Sequence, residues 1–213
     1  MSPTILFQDQ RFVVLDKPAG LAVHAGPSGG RSVEDWFPLL SRRKDGPWLA
    51  HRLDADTSGC LVIALRRAAL LAAQAAFASG AVRKTYWAVV AGQVAGDRGS
   101  VAGPLRRVSD KAGWRMVIDV KGQHAVTEWR VLGRSEGLTW LELRPRTGRT
   151  HQIRVHCAYL GTPILGDERY GTGGGRLHLL ARAIHLPLEP PVDAAADPPE
   201  HMRGALGQCG FRR

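Results

Sequence analysis

Two short segments of the sequence concentrate the side chains that could do chemistry. The first is the polar, turn-prone run 51–59, in which Asp54 and Asp56 lie close together and Arg52 precedes them. It leads directly into the apolar run 60–65, a pattern typical of a strand that is buried on both faces. Polar residues at the mouth of a buried strand are a common location for catalysis. The two carboxylates could also bind a divalent cation, as in a nuclease, or could simply be solvated.

The second segment is the basic run 148–156, which contains two histidines and two arginines. His151 and His156 are separated by about 140° on a helix, whereas zinc-binding pairs usually lie one full turn apart, so the spacing argues against a zinc site. Arg149 and Arg154 could clamp phosphates or pair with a buried carboxylate. A third interpretation of the same run is a solvated basic face of a helix.

Other familiar chemistries find less support. A Ser-His-Asp triad can be assembled on paper from Ser58, His51 or His151, and Asp56, but the sequence lacks the Gly-x-Ser-x-Gly elbow. The glycine-rich run 171–175 does not link a strand to a helix in the manner of a phosphate-binding loop. We therefore interpret this run as a plain loop.

The cysteines and the hydropathy pattern indicate where the protein works. Cys60, Cys157 and Cys209 form no Cys-x-x-Cys pair, which argues against a zinc ribbon or a thioredoxin-like site. Reduced thiols in a cytoplasmic protein are the simplest interpretation. The N-terminus has no secretory pattern, and no apolar segment approaches the roughly 18 residues that span a bilayer. We expect a soluble cytoplasmic protein without a membrane partner.

The charge of the chain points to a polyanionic partner. Lys and Arg number 29 against 19 Asp and Glu, which gives a formal net charge of +10 in 213 residues. Nucleic acid is the leading candidate for a partner of so basic a domain. Arginine, with its bidentate guanidinium, greatly outnumbers lysine, which also favours phosphate binding. A GC-rich genome would explain the ratio of arginine to lysine, but not the net charge.

The sequence patterns also indicate the helices and strands that must position these segments. Together they predict a mixed α+β fold with a mainly antiparallel central sheet and flanking helices and loops. Helices are expected at 33–40, 67–79, 150–160 and 198–206, and strands at 5–7, 11–15, 60–65, 85–90, 115–120, 125–132, 138–143 and 184–188. Pro187 suggests that the last strand lies at an edge, and the Pro-rich stretch 190–199 is interpreted as a linker. We expect one domain over 1–213, with its core at about 5–190 and a C-terminal extension from 190.

Five ordered segments together resemble the pseudouridine synthases of the RluA type. The resemblance extends from about residue 5 to residue 190, and its most specific segments are the second and the fourth. The segments are Lys17-Pro18-Ala19-Gly20, His51-Arg52-Leu53-Asp54-Ala55-Asp56-Thr57-Ser58-Gly59, Arg83-Lys84-Thr85-Tyr86, Thr147-Gly148-Arg149-Thr150-His151-Gln152-Ile153-Arg154-Val155-His156 and Leu160-Gly161-Thr162-Pro163-Ile164-Leu165-Gly166-Asp167.

This resemblance implies an isomerase that converts uridine in RNA to its C-glycoside, a redox-neutral reaction that needs no cofactor and no metal. By the same resemblance Asp54 is the catalytic carboxylate, acting either as a covalent nucleophile or on the ribose to form a glycal. Arg154 matches the arginine whose guanidinium keeps that carboxylate ionised. Tyr86 matches the tyrosine that stacks on the target base and can help to remove the C5 proton.

Further residues match positions that contact RNA in the family. Arg52 is expected to hold the flipped-out nucleotide or to fill the gap that it leaves, because a base inside a stack is out of reach. Salt-sensitive phosphate contacts are expected from Arg149, Lys84, Arg83 and the basic run Arg42-Arg43-Lys44. Lys17 and Pro18 match a motif that shapes the fold more than the chemistry.

The resemblance leaves the substrate open between ribosomal and transfer RNA. Many relatives carry an added N-terminal RNA-binding domain of the S4 kind, which we do not expect here because the first strand begins by about residue 5. Target selection would then fall to the catalytic domain, and a monomer is expected. Two alternative hypotheses are an RNA-binding protein that has lost catalysis and a metal-dependent nuclease that uses Asp54 and Asp56.

Overall fold

A computed structural model describes residues 2–26, 29–110 and 113–212 of the chain. The strands are β1 (Thr4–Gln8), β2 (Phe12–Lys17), β3 (Trp48–Leu49), β4 (Ser58–Ala64), β5 (Arg83–Ala91), β6 (Arg98–Ala102), β7 (Leu105–Asp110), β8 (Gly113–Ile118), β9 (Val126–Ser135), β10 (Leu138–Pro145), β11 (Leu179–Leu186) and β12 (Val192–Ala195). The helices are α1 (Phe37–Leu40), preceded by a 3₁₀ turn at Val33–Trp36, α2 (Arg67–Ala78), α3 (Gln152–Tyr159) and α4 (Glu200–Gln208). The predicted mixed α+β class with a mostly antiparallel sheet is confirmed.

The chain forms two compact units. The first comprises 1–84 and 180–197, and the second comprises 85–179 and 198–213. In the first unit, β4 pairs antiparallel with β2 on one side and parallel with β11 on the other. The strand β2 also pairs antiparallel with β1. All seven residues of β4 are buried, as its continuous apolar sequence predicts. The helix α2 packs against β4 and buries three alanines at helical spacing, Ala69, Ala73 and Ala76.

A glycine allows the strands β4 and β11 of the first unit to approach each other closely. Gly59 lies opposite Ala181 in the parallel pairing of β4 with β11. Its φ is +102°, and a Cβ atom there would lie 2.3 Å from the carbonyl oxygen of Ala181. Only glycine fits this conformation and this contact without strain. The position follows the Asp54 loop directly, so the close pairing fixes where that loop ends.

The second unit is built on an antiparallel sheet with the order β5-β10-β9-β6. A separate two-stranded hairpin, β7–β8, lies beside the helix α3. The core of this unit joins the apolar faces of the sheet to α3 through Leu141, Leu143, Ile153 and Cys157. The helix therefore has a fixed position relative to the strands of its own unit.

The structure corrects three details of the predicted elements. The strand predicted at 184–188 begins earlier, at Leu179, and ends before Pro187, so that proline does not mark an edge strand. The stretch 190–199 is not a plain linker, because β12 lies within it and pairs with β11. The strand β7 was not predicted, because its exposed arginines give no clear apolar alternation.

Candidate active site

Asp54 lies in the loop between β3 and β4 of the first unit, and its side chain is half-buried. Its carbonyl oxygen accepts a hydrogen bond from the N–H of Thr57 at 3.1 Å, which closes a tight turn. Thr57 is buried, and the strand β4 begins at the next residue. The structure therefore places Asp54 at the mouth of a buried strand, as the sequence predicted.

A buried lysine forms hydrogen bonds with the backbone of this loop and of the turn after β2. Lys17, the last residue of β2, is fully buried, and its Nζ donates hydrogen bonds to the carbonyl oxygens of Pro18, Leu21 and Ala55 at 2.9, 2.8 and 2.7 Å. Burial lowers the pKa of Lys17 to about 8, although the charges of Asp56 and Asp54 oppose the change. One ammonium group thus joins the turn after β2 to the loop that carries Asp54. This agrees with the interpretation of Lys17 as a residue that shapes the fold.

His51 fixes the opposite end of the same loop. Its Nε2 accepts a hydrogen bond from the backbone N–H of Val62 at 3.0 Å, and its ring lies 5.1 Å from that of Phe77. Burial lowers the pKa of His51 to about 4; a backbone hydrogen bond to Arg52 opposes the change, and the charge of Lys84 adds to it. The imidazole is therefore neutral at physiological pH and serves as a backbone partner for β4, beyond the end of the short strand β3.

The basic residues of the first unit differ in exposure. Arg52, Arg83, Arg42 and Arg43 are exposed, whereas Lys84 is partly buried. Burial lowers the pKa of Lys84. The exposed guanidinium groups are accessible to a polyanion. Lys84 is less accessible, and its charge contributes to the lowered pKa of His51.

Tyr86 belongs to the second unit, where it lies on β5 opposite Leu143 of β10. Its ring is half-buried and packs on the core cluster that also contains Ile153 and Cys157 of α3. The contact joins the strand of Tyr86 to the helix of Arg154. The predicted alternation of β5 is present, because its inward-facing residues continue as Ala88 and Val90.

Arg154 lies on α3 and is 6% exposed. Its Nε and Nη2 donate hydrogen bonds to the two carboxylate oxygens of Asp167 at 2.8 and 2.7 Å. Burial opposes the ionisation of Asp167, but the hydrogen bonds and charge of Arg154 and the N–H groups of Arg169 and Tyr170 lower its pKa. A bidentate pair of this kind fixes both the position and the plane of a guanidinium.

Asp167, the carboxylate partner of Arg154, was not identified from the sequence. Asp167 ends the last of the five segments on which the family resemblance rests, and the sequence alone indicates no role for it. The signal was available, because an arginine on the buried face of a helix needs a carboxylate partner. The pairing of Arg154 with Asp54 stays a prediction.

The two histidines of the 148–156 run differ in their location and in their contacts. His151 is not part of the helix, because α3 begins at Gln152, and His151 has a left-handed backbone with φ of 52°. His156 is buried, with Nδ1 2.8 Å from Thr127 Oγ1 and Nε2 3.2 Å from the carbonyl oxygen of Gly103. Within the described ranges, no group of three His, Cys, Asp or Glu side chains could hold a metal ion.

Arg149 occupies the turn before α3 and is exposed. Its Nε donates a hydrogen bond to the carbonyl oxygen of His124 at 3.2 Å. The turn itself is held by Gln152, whose Oε1 accepts hydrogen bonds from the N–H of Arg149 and from the hydroxyl of Thr147. The guanidinium is thus attached to a well-ordered turn and faces the surface, as a phosphate contact requires.

The cysteines contribute no nucleophile. Cys60, Cys157 and Cys209 are free and buried. Burial raises the pKa of the Cys60 and Cys157 thiols to about 12. Thiols of this kind are inert at neutral pH.

Known proteins show the same sequence pattern and fold. Residues 11–159 match the family described as RNA pseudouridylate synthase. An uncharacterized RNA pseudouridine synthase of Zymomonas mobilis is 42% identical over 175 residues, which cover 81% of this chain and 80% of the relative. Ribosomal large subunit pseudouridine synthase C of Escherichia coli is 36% identical over 197 residues, which cover 86% of this chain and 62% of the relative. The solved structure of Human RNA Pseudouridylate Synthase Domain Containing 4 matches with a TM-score of 0.83 at 28% identity, covering 97% of this chain and 92% of that one.

These matches extend over the segments that carry the candidate residues, from the Asp54 loop to the helix of Arg154. The chain belongs to the RNA pseudouridine synthase family, whose members are isomerases that act on uridine in RNA. The predicted family and enzyme class are confirmed. In the part of the chain that the structure describes, no helix is both long and apolar enough to cross a membrane.

Proposed function

We propose that this chain isomerises specific uridines of ribosomal or transfer RNA to pseudouridine, with Asp54 as the catalytic carboxylate. The observation that carries the proposal is the construction of the Asp54 loop. Lys17 binds the backbone next to Asp54, and His51 binds the strand that follows. A carboxylate on a loop fixed at both ends is preorganised for chemistry, because it needs little further ordering when substrate binds.

The reaction itself asks for a carboxylate and no redox partner. The bond between N1 of uracil and C1′ of ribose breaks, the base turns, C5 bonds to C1′, and the C5 proton is lost while N1 gains one. Asp54 either bonds to the sugar or removes a ribose proton to give a glycal. Both routes need the same ionised, half-buried carboxylate.

Tyr86 and Arg154 complete the proposed catalytic set. The half-buried ring of Tyr86 is suited to stack on the target base and to help remove the C5 proton. The guanidinium of Arg154 is proposed to keep Asp54 ionised, since an opposite charge within about 4–6 Å lowers a carboxylate pKa by about 1–3 units. The pairing of Arg154 with Asp167 supports this role, because it holds the arginine in one orientation.

The exposed arginines are proposed to bind the RNA backbone. Arg149, Arg83, Arg42, Arg43 and the partly buried Lys84 would neutralise phosphates, and Arg52 would hold the extruded nucleotide. The Escherichia coli relative is named for the large ribosomal subunit, which makes ribosomal RNA the first substrate to test and transfer RNA the second. The monomeric state and the cytoplasmic location stay predictions.

Release of tritium from RNA labelled at uridine C5 tests the proposal directly. Wild-type protein is expected to release tritium, and Asp54→Asn is expected to stop the release while RNA binding persists. Asp56→Asn is the matched control, because it removes the neighbouring exposed carboxylate of the same loop and should leave release intact. The proposal is contradicted if the Asp54→Asn variant still releases tritium. It is also contradicted if the wild type binds every RNA tested but releases tritium from none.

A further inference from the structure

Tyr170 lies at a junction of three segments in the second unit. Its hydroxyl accepts a hydrogen bond from the backbone N–H of Met116 on β8 at 3.0 Å and lies 2.7 Å from Nδ1 of His151. Its ring faces the guanidinium of Arg154, with Cζ 5.3 Å from the ring centroid. Its own N–H donates to the carboxylate of Asp167, the ion-pair partner of Arg154. Tyr170 therefore contacts the hairpin, the start of α3 and the arginine pair at once.

His151 is held in an unusual backbone conformation by this junction. Its φ of 52° lies in the left-handed region, which residues other than glycine rarely adopt. Its ring stacks on Trp114 of β8, with centroids 5.0 Å apart and planes inclined by 28°, and it meets the ring of Tyr170 edge-on. Strained backbone of this kind persists where the surroundings determine it and is concentrated at functional sites.

The hairpin β7–β8 is bound to the same junction through its single tryptophan. The guanidinium groups of Arg107 and Arg169 lie 4.7 and 4.9 Å from the ring of Trp114, and Arg169 also donates a hydrogen bond to the carbonyl oxygen of that tryptophan. Met116 and Leu105 pack with Val155 of α3. The hairpin therefore contacts both His151 and Tyr170 directly.

We propose that Tyr170 is a positioning residue that couples the β7–β8 hairpin to the guanidinium of Arg154. The hydroxyl fixes the ring against β8 and His151, and the ring and Asp167 together fix the plane of the guanidinium. The inference rests on the proposed function, since it takes Arg154 as the catalytic arginine. Tyr170 itself has no assigned contact with substrate, so its effect on the reaction passes through Arg154.

A double-mutant cycle tests whether the effect passes through Arg154. Tyr170→Phe keeps the ring and removes the hydroxyl, and we expect it to lower kcat for tritium release about ten-fold or more, because small misplacements of catalytic groups are costly. The dissociation constant for RNA should change little. In an Arg154→Lys background the same substitution should have almost no further effect. Tyr159→Phe is the matched control, since this tyrosine lies on α3 with 67% exposure.

A second measurement needs no activity and stays informative if a variant is weakly active. The Nε–H resonance of Arg154 is followed by NMR in the free protein. Tyr170→Phe and Trp114→Leu should both shift this resonance and speed its exchange with solvent, whereas Tyr159→Phe should not. An unchanged resonance in the Tyr170 variant overturns the proposal, and an unchanged resonance in the Trp114 variant overturns the coupling to the hairpin.

The outcomes separate this inference from the proposed function. If Arg154→Lys leaves tritium release unchanged, the proposed catalytic role of Arg154 fails and this inference fails with it. If Arg154→Lys lowers the release but Tyr170→Phe lowers it by the same factor in both backgrounds, only the role of Tyr170 is overturned.

Discussion

Replacing Lys17 with methionine is expected to destabilise the protein by about 3 kcal/mol at pH 7. The substitution removes three hydrogen bonds to the carbonyl oxygens of Pro18, Leu21 and Ala55. Bonds from a charged donor are each worth about 2 kcal/mol, so about 6 kcal/mol is lost. Removing the buried ammonium group also relieves its desolvation, the main cause of its lowered pKa, and this recovers roughly half of the loss. Methionine fills most of the same volume, so packing changes little.

The difference between the wild type and Lys17→Met should increase at alkaline pH. The pKa of Lys17 is about 8 in the folded protein and near its ordinary value of 10.5 in the unfolded chain. Between these values the unfolded chain binds more protons, so the contribution of Lys17 to stability rises with pH. The increase should reach about 2 kcal/mol by pH 10.

Urea unfolding followed by tryptophan fluorescence at pH 7, 8, 9 and 10 measures both effects. Lys44→Met is the matched control, because Lys44 is an exposed lysine of the same unit and should show no change at any pH. A difference below about 1 kcal/mol at pH 7 would contradict the role of the three hydrogen bonds. A difference that is constant or decreases between pH 7 and pH 10 would contradict the lowered pKa.

Two further predictions concern the ends of the Asp54 loop. Gly59→Ala places a Cβ atom 2.3 Å from the carbonyl oxygen of Ala181 at positive φ and should lower the unfolding free energy by about 3 kcal/mol. Gly80→Ala is the control, because Gly80 also has a positive φ but lies in open space, and its substitution should cost much less. Equal losses of unfolding free energy in urea would refute the steric argument. His51 has a pKa of about 4 in the folded protein against 6.5 in the unfolded chain, so the wild type should lose up to about 3 kcal/mol of stability as pH falls from 6.5 to 4. His51→Gln should lack this part of the acid dependence, and identical acid profiles of the two proteins would exclude a neutral His51 in the folded protein.

Local sequence patterns were enough to predict the elements that carry the candidate residues. The apolar run after the Asp54 loop is typical of a buried strand, and the alanine-rich run at 67–78 favours a helix; the structure has both. These signals depend on neighbours in sequence, which is why they can be recognised without the structure.

The contacts that fix the site could not be predicted in the same way. The burial of Lys17 depends on Ala55, 38 residues away, and that of Arg154 depends on Asp167, 13 residues away and beyond the end of α3. The strand β7 exposes most of its side chains, so its stability depends on pairing with β8 rather than on an apolar pattern. Such contacts are tertiary, and no local propensity encodes them.

Each candidate segment is supported by a buried or half-buried polar side chain that forms a hydrogen bond with the backbone. Lys17 binds the carbonyl of Ala55, His51 binds the N–H of Val62, and Tyr170 binds the N–H of Met116. Reactions that rely on the protein's own side chains depend on preorganised groups, and these contacts order the candidate segments in the folded protein before any substrate binds. Substitution of a supporting residue should therefore lower the unfolding free energy or change the coupling in a double-mutant cycle. Substitution of Asp54 should instead abolish tritium release in a protein that remains folded. This contrast distinguishes catalytic from supporting residues by measurements on the same set of variants.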